Sequence, residues 1–337
     1  MTSQARNQSL DVLRFLAIFL VLGDHVHFYR LWFRAGWIGV NLFFVLSGFL
    51  ISGLLFSELD RTGTIQIGTF LLRRGLKIWP GFYCLLLVAT VFGVALGMPV
   101  TLRAALVNGS FLQNYVWAPR FVLMEHTWSL AVEEHFYLAL PFLLLAIPRR
   151  FIPHAFAVLA LLCEIIRILS PVPRIGMPIG PTHAYADSLF AGVLLQHLYR
   201  YHPEIFARLS RWPALFICAA CCLPALFFDS TAHFIGVVEI PLLYIGFVFL
   251  LAWAIPRELP GTSSLAAIGK HSYSIYLWHG FFSVFFSIHI VTHAWEFWAY
   301  VLCAISVGVL MGEAIEFPVL RARDRWLPRT GRLLLRP

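Results

Sequence analysis

The sequence predicts an all-α integral membrane protein, a bundle of about ten transmembrane helices with both termini in the cytoplasm. Of the 337 residues, 60% are hydrophobic and 12% are charged, and the mean hydropathy is +0.79. Soluble proteins contain about 45–50% apolar and about 25% charged residues, so this composition excludes a soluble domain. A transmembrane helix needs about 20 apolar residues, and about ten such windows follow one another along the chain.

The predicted helices leave little of the chain for a separate soluble domain. They cover residues 9–29, 36–57, 79–98, 128–147, 152–169, 183–200, 212–228, 233–255, 270–291 and 295–318. An even number of crossings returns the chain to its starting side. The first segment lacks a small-residue cleavage site, so we expect a retained helix rather than a signal peptide.

The distribution of basic residues predicts which side is cytoplasmic. With the N-terminus inside, most of the 25 Lys and Arg residues fall on the cytoplasmic side, as the positive-inside rule requires. Six fall outside or near that end: Arg30, Arg34, Arg103, Arg120, Arg167 and Arg174. We expect a transmembrane domain over residues 1–320 and a basic cytoplasmic tail, 321–337, against anionic lipid headgroups. This topology accounts for the net charge of +8 without nucleic acid.

The first predicted helix contains two polar residues, Arg14 and His25. A charge inside a membrane helix costs about 2.5 to 3.5 kcal/mol on insertion scales, so each is a candidate functional residue. At 100° per residue the two return to within about 20° of each other, and the helical rise separates them by roughly 16 Å. They are therefore predicted to share one face at different depths.

Counted from the predicted helix ends, the polar residues fall into two layers. The outer layer contains His25, Asn41, Glu133, Glu134 and Asp187. The inner, basic layer contains Arg14, Arg73, Arg74 and Lys77. Two such layers suit an anionic donor that enters from the cytoplasm and an acceptor that binds outside.

The residue types predict base-catalysed acyl transfer. Histidine is the commonest general base, and a neighbouring carboxylate can fix its tautomer and stabilise the imidazolium. Glu133 and Glu134 point about 100° apart on a helix, so both can hardly face one site. The inner cations suit the phosphates of coenzyme A, since charge-assisted hydrogen bonds are stronger than neutral ones. The cysteines and histidines have no metal-ligand spacing, so no metal is expected.

Structural interpretations of the same residues stay open. The basic run also fits topology anchoring, and His25 also fits an interfacial histidine bonded to a carbonyl or to headgroup water. Asp187 also fits a first-turn acid favoured by the helix dipole. Ser47 and Gly48 fit close helix packing. For the whole protein, a secondary transporter or flippase with a proton relay and a structural membrane protein are the alternatives from other classes. Neither internal repeats nor paired broken helices are evident, which favours an enzyme.

Several strings in order resemble acyltransferase family 3, the membrane O-acyltransferases of bacterial surface polysaccharides and some secondary metabolites. They are LDVLRFLAIFLVLGDH from Leu10, GWIGVNLFFVLSGFLIS from Gly36, FLLRRGLKIWP from Phe70, HTWSLAVEEHFYL from His126, THAYADSLFAGVLL from Thr182 and IGKHSYSIYLWH from Ile268. The fourth string is the most specific. Together the strings cover residues 10 to 280.

The resemblance implies a multi-pass protein of the bacterial inner membrane with a ten-helix bundle. It implies an acyl-CoA donor, most simply acetyl-CoA, with no bound cofactor, and as acceptor a glycan, a lipid-linked sugar or a small secondary metabolite. His25 would be the essential catalytic histidine and Arg14 its companion. The segment with Trp128, Ser129 and the two glutamates would take part. We expect Trp128, Ser129, Asn41 and Asp187 on the acceptor side and Arg73, Arg74 and Lys77 on the donor side.

The sequence also departs from the family pattern. Asn41 stands where an acid is usual, which removes one possible carboxylate partner of His25. Ala131 and His135 replace a usual Ser and Gln, and Tyr185 replaces a frequent Arg. Some relatives carry a C-terminal hydrolase-like domain, and we expect no such domain after the tenth predicted helix. We therefore expect the membrane domain or a separate protein to complete the transfer.

Overall fold

The computed structural model of the protein is all-α. It describes residues 7–26, 28–116, 118–169, 180–227, 234–288 and 293–327, and these ranges contain no β-strand. Their α-helices are α1 (Gln8–Asp24), α2 (Arg30–Ala35), α3 (Ile38–Thr62), α4 (Ile67–Ala95), α5 (Leu102–Gly109), α6 (Trp128–Ala146), α7 (Ile152–Leu169), α8 (Ala186–Tyr201), α9 (Pro203–Leu209), α10 (Pro213–Phe227), α11 (Ile240–Ala254), α12 (Ser263–Gly269), α13 (Ser272–Ile288), α14 (Ala294–Met311) and α15 (Phe317–Trp326).

Short helical segments of other types extend several of these helices. A 3-10 segment, Val122–Thr127, leads directly into α6. The π segments Ile235–Glu239 and Gly312–Glu316 continue into α11 and α15. The last of these joins α14 to α15 in one helical stretch from Ala294 to Trp326. That stretch crosses residue 320, where the sequence predicted a boundary between membrane domain and tail.

Every predicted helix overlaps an observed one, but fewer are long and apolar enough to cross a membrane. Within the described ranges six helical stretches are long and apolar enough to cross a membrane, or up to seven if α9 and α10, bent by 64°, form one span. Helix α1 has 17 residues and α8 has 16, fewer than the roughly 20 that a hydrocarbon core about 30 Å thick requires. The count of about ten spans and the cytoplasmic termini stay predictions, and residues 1–6 and 328–337 lie outside the described part.

Helix α4 begins at Ile67, twelve residues before the predicted start. Its first turns contain the basic run, whose charges lower the local hydropathy and hide the helix from a hydropathy window. Among and beside the charges, Phe70, Gly75 and Ile78 are buried. The basic residues are therefore part of a spanning helix rather than of the loop before it.

Helix α3 lies in the centre of the described bundle and packs against α1, α6, α8 and α11. Its contact with α8 is unusually close. A Cβ atom on Gly48 would lie 2.0 Å from the Leu189 carbonyl oxygen, and one on Gly192 would lie 2.3 Å from the Val45 carbonyl oxygen. Only glycine permits two backbones to approach this closely. The packing role predicted for Gly48 is confirmed.

Candidate active site

A cluster of three imidazoles lies at the C-terminal end of α1. His25 caps that helix, and its ring meets the ring of His279 on α13 nearly at a right angle, with 4.7 Å between centroids. The ring of His126, from the 3-10 segment before α6, lies on His279 with 4.9 Å between centroids. Gly280 makes this contact possible, because a Cβ there would lie 2.1 Å from His126 Nδ1. Three separate parts of the chain thus meet at His279.

Backbone carbonyls set the tautomer of each ring. A carbonyl only accepts hydrogen bonds, so the ring nitrogen that faces it carries the hydrogen. His25 Nδ1 donates to Val21 at 3.2 Å, His279 Nδ1 to Tyr276 at 2.5 Å, and His126 Nε2 to Leu277 at 3.0 Å. The basic lone pair is therefore on Nε2 of His25, on Nε2 of His279 and on Nδ1 of His126.

The carboxylate recorded near His25 is that of Asp24, with Oδ2 4.0 Å from His25 Nδ1. The sequence predicted Glu133 or Glu134 in this role. Asp24 directly precedes His25 in the sequence. A search of neighbouring residues would have identified this carboxylate, whereas a comparison of depths along the helices did not.

Ser129 and Tyr276 connect the histidine cluster to α6. The Tyr276 hydroxyl donates to the His126 carbonyl oxygen at 2.5 Å, and its oxygen lies 2.5 Å from Ser129 Oγ. Because Tyr276 has one hydroxyl proton, Ser129 is the donor in the second bond. Trp128 packs beside this pair, against Phe44 and Tyr185. The predicted segment therefore lies next to the histidines, with Ser129 already hydrogen-bonded.

Glu133 lies one turn further along α6 in a second polar cluster. Ser47, in the middle of α3, donates to Oε1 of Glu133, and the Tyr137 hydroxyl donates to Oε2 at 3.0 Å. Arg74 and Lys77 of α4 act on Glu133 electrostatically. The sequence placed Glu133 in the outer layer with His25, and its depth in the membrane stays a prediction. Along the chain Glu133 lies near the middle of the 25-residue helical stretch from Val122 to Ala146, because a 3-10 segment precedes α6.

Glu134 turns away from Glu133, as their spacing predicted. Its Oε2 accepts a hydrogen bond from the Trp79 indole at 3.2 Å, while its buried Oε1 has no partner among the described residues. Arg74 and Glu133 are its charged neighbours. Glu134 therefore belongs to the α4 side of the bundle and not to the histidine cluster.

The three basic residues of α4 have different surroundings. Arg74 lies beside the Glu133 and Tyr137 cluster, and Lys77 acts on the same carboxylate. Arg73 instead donates to the Leu327 carbonyl oxygen and to Asp324 Oδ1, the latter at 2.8 Å. The run predicted as one donor site is thus divided: two cations face the bundle interior and Arg73 fastens α15 to α4.

Arg14 forms an ion pair with Asp11, one turn earlier on α1. Asp11 is buried, while Arg14 keeps 22% of its side-chain surface accessible. Helix α12 packs here, where a Cβ on Gly269 would lie 1.9 Å from the Asp11 carbonyl oxygen. The pair lies in the N-terminal half of α1 and His25 caps the C-terminal end, while the depths predicted for Arg14 and His25 in the membrane stay predictions.

Asn41 and Asp187 belong to a third polar cluster. Asn41 Oδ1 accepts from the Ser188 hydroxyl at 3.3 Å. Asp187 pairs with the buried Arg167, which also bonds Glu164 and the Ala184 carbonyl oxygen. The five residues predicted to share one outer layer are therefore spread over three clusters.

Several polar residues of these clusters were not predicted, and their sequence signals are weak. Ser47 has its partner 86 residues away, and Tyr137, Tyr276 and His126 lie within apolar helices or strings where aromatic residues usually pack. His279 in an apolar helix is the one sequence signal that could have been followed further. Among the described residues, no group of three or more His, Cys, Asp or Glu side chains has metal-binding geometry.

Helix α6 connects two of the clusters, because Ser129 contacts Tyr276 beside the histidines and Glu133 contacts Ser47 one turn later. Arg74 and Lys77 on α4 interact electrostatically with Glu133. Glu133, Ser47, Arg74 and His25 all keep part of their surface accessible although neighbouring helices surround them. A base at one end and cations at the other suit a transfer reaction with a large anionic donor.

Known proteins resemble this chain over nearly its full length. Residues 7–313 match the sequence model of acyltransferase family 3, described as an acyltransferase domain. The peptidoglycan O-acetyltransferase OatA of Listeria monocytogenes is 33% identical over 150 residues, which cover 41% of this chain and 24% of that protein. The O-acetyltransferase OatA of Staphylococcus aureus is 27% identical over 346 residues, which cover 92% of this chain and 56% of the relative. In both, the chain covers less than two thirds of the relative. No solved structure matches.

Proposed function

Because the chain belongs to acyltransferase family 3, we propose that it moves an acetyl group from cytoplasmic acetyl-CoA to a hydroxyl of an extracytoplasmic glycan or glycolipid, in the bacterial inner membrane. The names of the two relatives support acetyl as the group and oxygen as its acceptor. The observation that carries the proposal is the tautomer of His25, whose Nδ1 donates to the Val21 carbonyl oxygen and leaves the basic lone pair on Nε2.

In the proposed reaction His25 is the general base. Its Nε2 removes the proton of the acceptor hydroxyl while the hydroxyl oxygen attacks the thioester carbonyl carbon. The O–H bond breaks and a C–O bond forms; the C–S bond then breaks, and His25 returns the proton to the thiolate of coenzyme A. Asp24, 4.0 Å from His25 Nδ1, stabilises the imidazolium between these steps.

Arg74 and Lys77 form the donor side of the proposed site. Coenzyme A carries phosphates, and guanidinium groups bind phosphate oxygens through two parallel hydrogen bonds. Both cations interact electrostatically with Glu133 in the described structure. The Glu133 carboxylate therefore partly neutralises their positive charge before the donor binds. Arg73 contributes less to donor binding, because Asp324 and Leu327 already accept its hydrogen bonds.

The proposal is tested with purified protein in detergent, acetyl-CoA and an acceptor glycan. Wild-type protein is expected to release free coenzyme A and to yield an acetylated glycan by mass spectrometry. His25→Ala should abolish both while it keeps the elution volume and melting temperature of wild type. Turnover that survives in His25→Ala would overturn the assignment of the base. Acetyl-CoA binding without any glycan acetylation by wild type would favour the transporter alternative.

A further inference from the structure

Helices α9 and α10 meet at a sharp bend. Their axes differ by 64°, and residues 210–212 separate the two helices. Helix α10 contains no charged residue, and together with α9 it is apolar enough to cross a membrane. Where α10 enters the hydrocarbon, α9 is turned away by this angle and runs closer to the plane of the membrane. The bend therefore suits the level of the lipid headgroups.

Helix α9 is buried on one face and exposed on another. Phe206 is 6% exposed and packs against Tyr199 of α8, with 4.9 Å between ring centroids. Ile205 and Arg208, three positions apart on the same face, are both exposed. An apolar and a basic side chain on one exposed face suit the boundary between headgroups and acyl chains, where each has a favourable environment.

The exposed side chains change from charged to apolar across the bend. Trp212, the last residue of the break, is 65% exposed, and Phe216, one turn into α10, is 77% exposed. Tryptophan is enriched where headgroups meet hydrocarbon, and an exposed phenylalanine on an apolar helix contacts acyl chains. The order of residue types from α9 to α10 thus matches the order of groups in a phospholipid, from headgroup to acyl chain.

Arg208 and Arg211 place two positive charges at the bend. Both side chains are exposed, and among the described residues neither guanidinium group has a hydrogen bond or an ion pair. Glu204, one turn before Arg208, is the one acidic residue from 202 to 213. The bend therefore carries a net positive charge whose guanidinium groups are available to an anion.

The Trp212 indole is held in place by residues at the end of α11. Its ring lies 5.7 Å from the Trp253 ring between centroids, and the Arg257 guanidinium lies 5.9 Å from the Trp212 centroid and 5.0 Å from that of Trp253. Arg257 itself donates to the Trp253 carbonyl oxygen. Because these contacts fix the indole in advance, a ligand beside Trp212 loses less entropy when it binds.

We propose that the bend between α9 and α10 binds the headgroup of an anionic glycerophospholipid. The guanidinium groups of Arg208 and Arg211 donate hydrogen bonds to its phosphate oxygens, and Trp212 lies at the level of its glycerol. The acyl chains run along α10 beside Phe216. A zwitterionic lipid binds less well, because its own cationic group opposes the two arginines. This site is separate from the proposed active site and does not depend on the acyl-transfer proposal.

Native mass spectrometry of the full chain in detergent, titrated with dioleoylphosphatidylglycerol, tests the proposal. Each arginine near an anionic surface contributes about a fivefold factor to binding, so Arg208→Gln with Arg211→Gln should weaken binding about 25- to 30-fold. Dioleoylphosphatidylcholine should bind wild type about tenfold less tightly than phosphatidylglycerol.

The matched control is Arg61→Gln with Arg150→Gln. It removes two exposed arginines on the same predicted side of the membrane, and neither has an ion pair among the described residues. This control should keep the affinity for phosphatidylglycerol within about threefold of wild type, because both charges lie outside the bend. Both double variants change exposed side chains, so they should keep the wild-type melting temperature and elution volume.

Several results would overturn the proposal. Equal weakening in the two double variants would mean that lipid binding follows net charge and not the bend. Equal affinity of wild type for the two lipids would exclude recognition of an anionic headgroup. Displacement of the lipid by inorganic phosphate at equal concentration would identify a free-phosphate site instead. If Arg208→Gln with Arg211→Gln does not fold, the two single variants decide: each should weaken binding about fivefold, and less than about twofold in both would refute the site.

Discussion

Removal of Asp187 should destabilise the protein through Arg167. Arg167 is 1% exposed and Asp187 is 0% exposed, so water cannot replace the lost carboxylate. Breaking a buried ion pair by removing one partner typically costs 3–5 kcal/mol, because the other charge stays buried. Glu164 and the Ala184 carbonyl oxygen still bond Arg167, so we expect a cost at the lower end, about 3 kcal/mol, for Asp187→Ala.

The assay is thermal unfolding in detergent, followed by intrinsic fluorescence. A loss of about 3 kcal/mol in a chain of this size should lower the melting temperature by roughly 5 to 10 °C. The control is Arg120→Ala, which breaks a pair with Glu125 in which the Arg120 side chain is 65% exposed. Exposed pairs contribute about 0–1 kcal/mol, so the control should shift the melting temperature by no more than about 2 °C.

The result bears on the acceptor-side role that the sequence predicted for Asp187. If Asp187→Ala keeps the wild-type melting temperature but binds the acceptor glycan more weakly, the structural reasoning is refuted and Asp187 contacts substrate. If the double variant Arg167→Leu with Asp187→Leu recovers stability, the cost in Asp187→Ala came from the unpaired charge.

Three further outcomes follow from the described contacts. Arg74→Ala should raise the KM for acetyl-CoA at least tenfold, whereas Arg73→Ala should change that KM less than threefold. Arg73→Ala should mainly loosen α15, which faster hydrogen exchange of residues 317–326 would show. Equal KM changes in the two variants would contradict this division. Glu133→Gln should keep the hydrogen bonds with Ser47 and Tyr137 but change the affinity for acetyl-CoA in a binding assay. An unchanged affinity would argue that the Glu133 charge does not balance those of Arg74 and Lys77. Gly192→Ala should lower the yield of folded protein, because the new methyl would lie 2.3 Å from the Val45 carbonyl oxygen; normal yield and melting temperature would exclude that clash.

Hydropathy predicted where helices lie but not where each one begins. Apolar windows found α6 and α7 to within one residue. They missed the first three turns of α4, since Arg73, Arg74 and Lys77 are charged although they belong to a helix. Close helix packing at Gly48 could be predicted from the sequence, because a small residue within an apolar membrane helix usually marks a contact with another helix.

The hydrogen-bond partners of the polar residues could not be predicted from the sequence. Depth along a helix put His25 and Glu133 in one layer, but depth alone does not say which side chains contact one another. The partner of Glu133 is Ser47 on another helix, and only the three-dimensional packing brings them together. The resemblance to a family directed attention to His25, whereas the tautomer of His25 required coordinates.

The most direct test uses proteoliposomes with acceptor glycan enclosed and acetyl-CoA added outside, with the protein inserted so that its predicted cytoplasmic face is outward. The account predicts acetylated glycan inside the vesicles with wild-type protein and none with His25→Ala. Enclosed glycan acetylated equally well by His25→Ala would contradict the central claim that the His25 imidazole is the base for acyl transfer to the far side of the membrane.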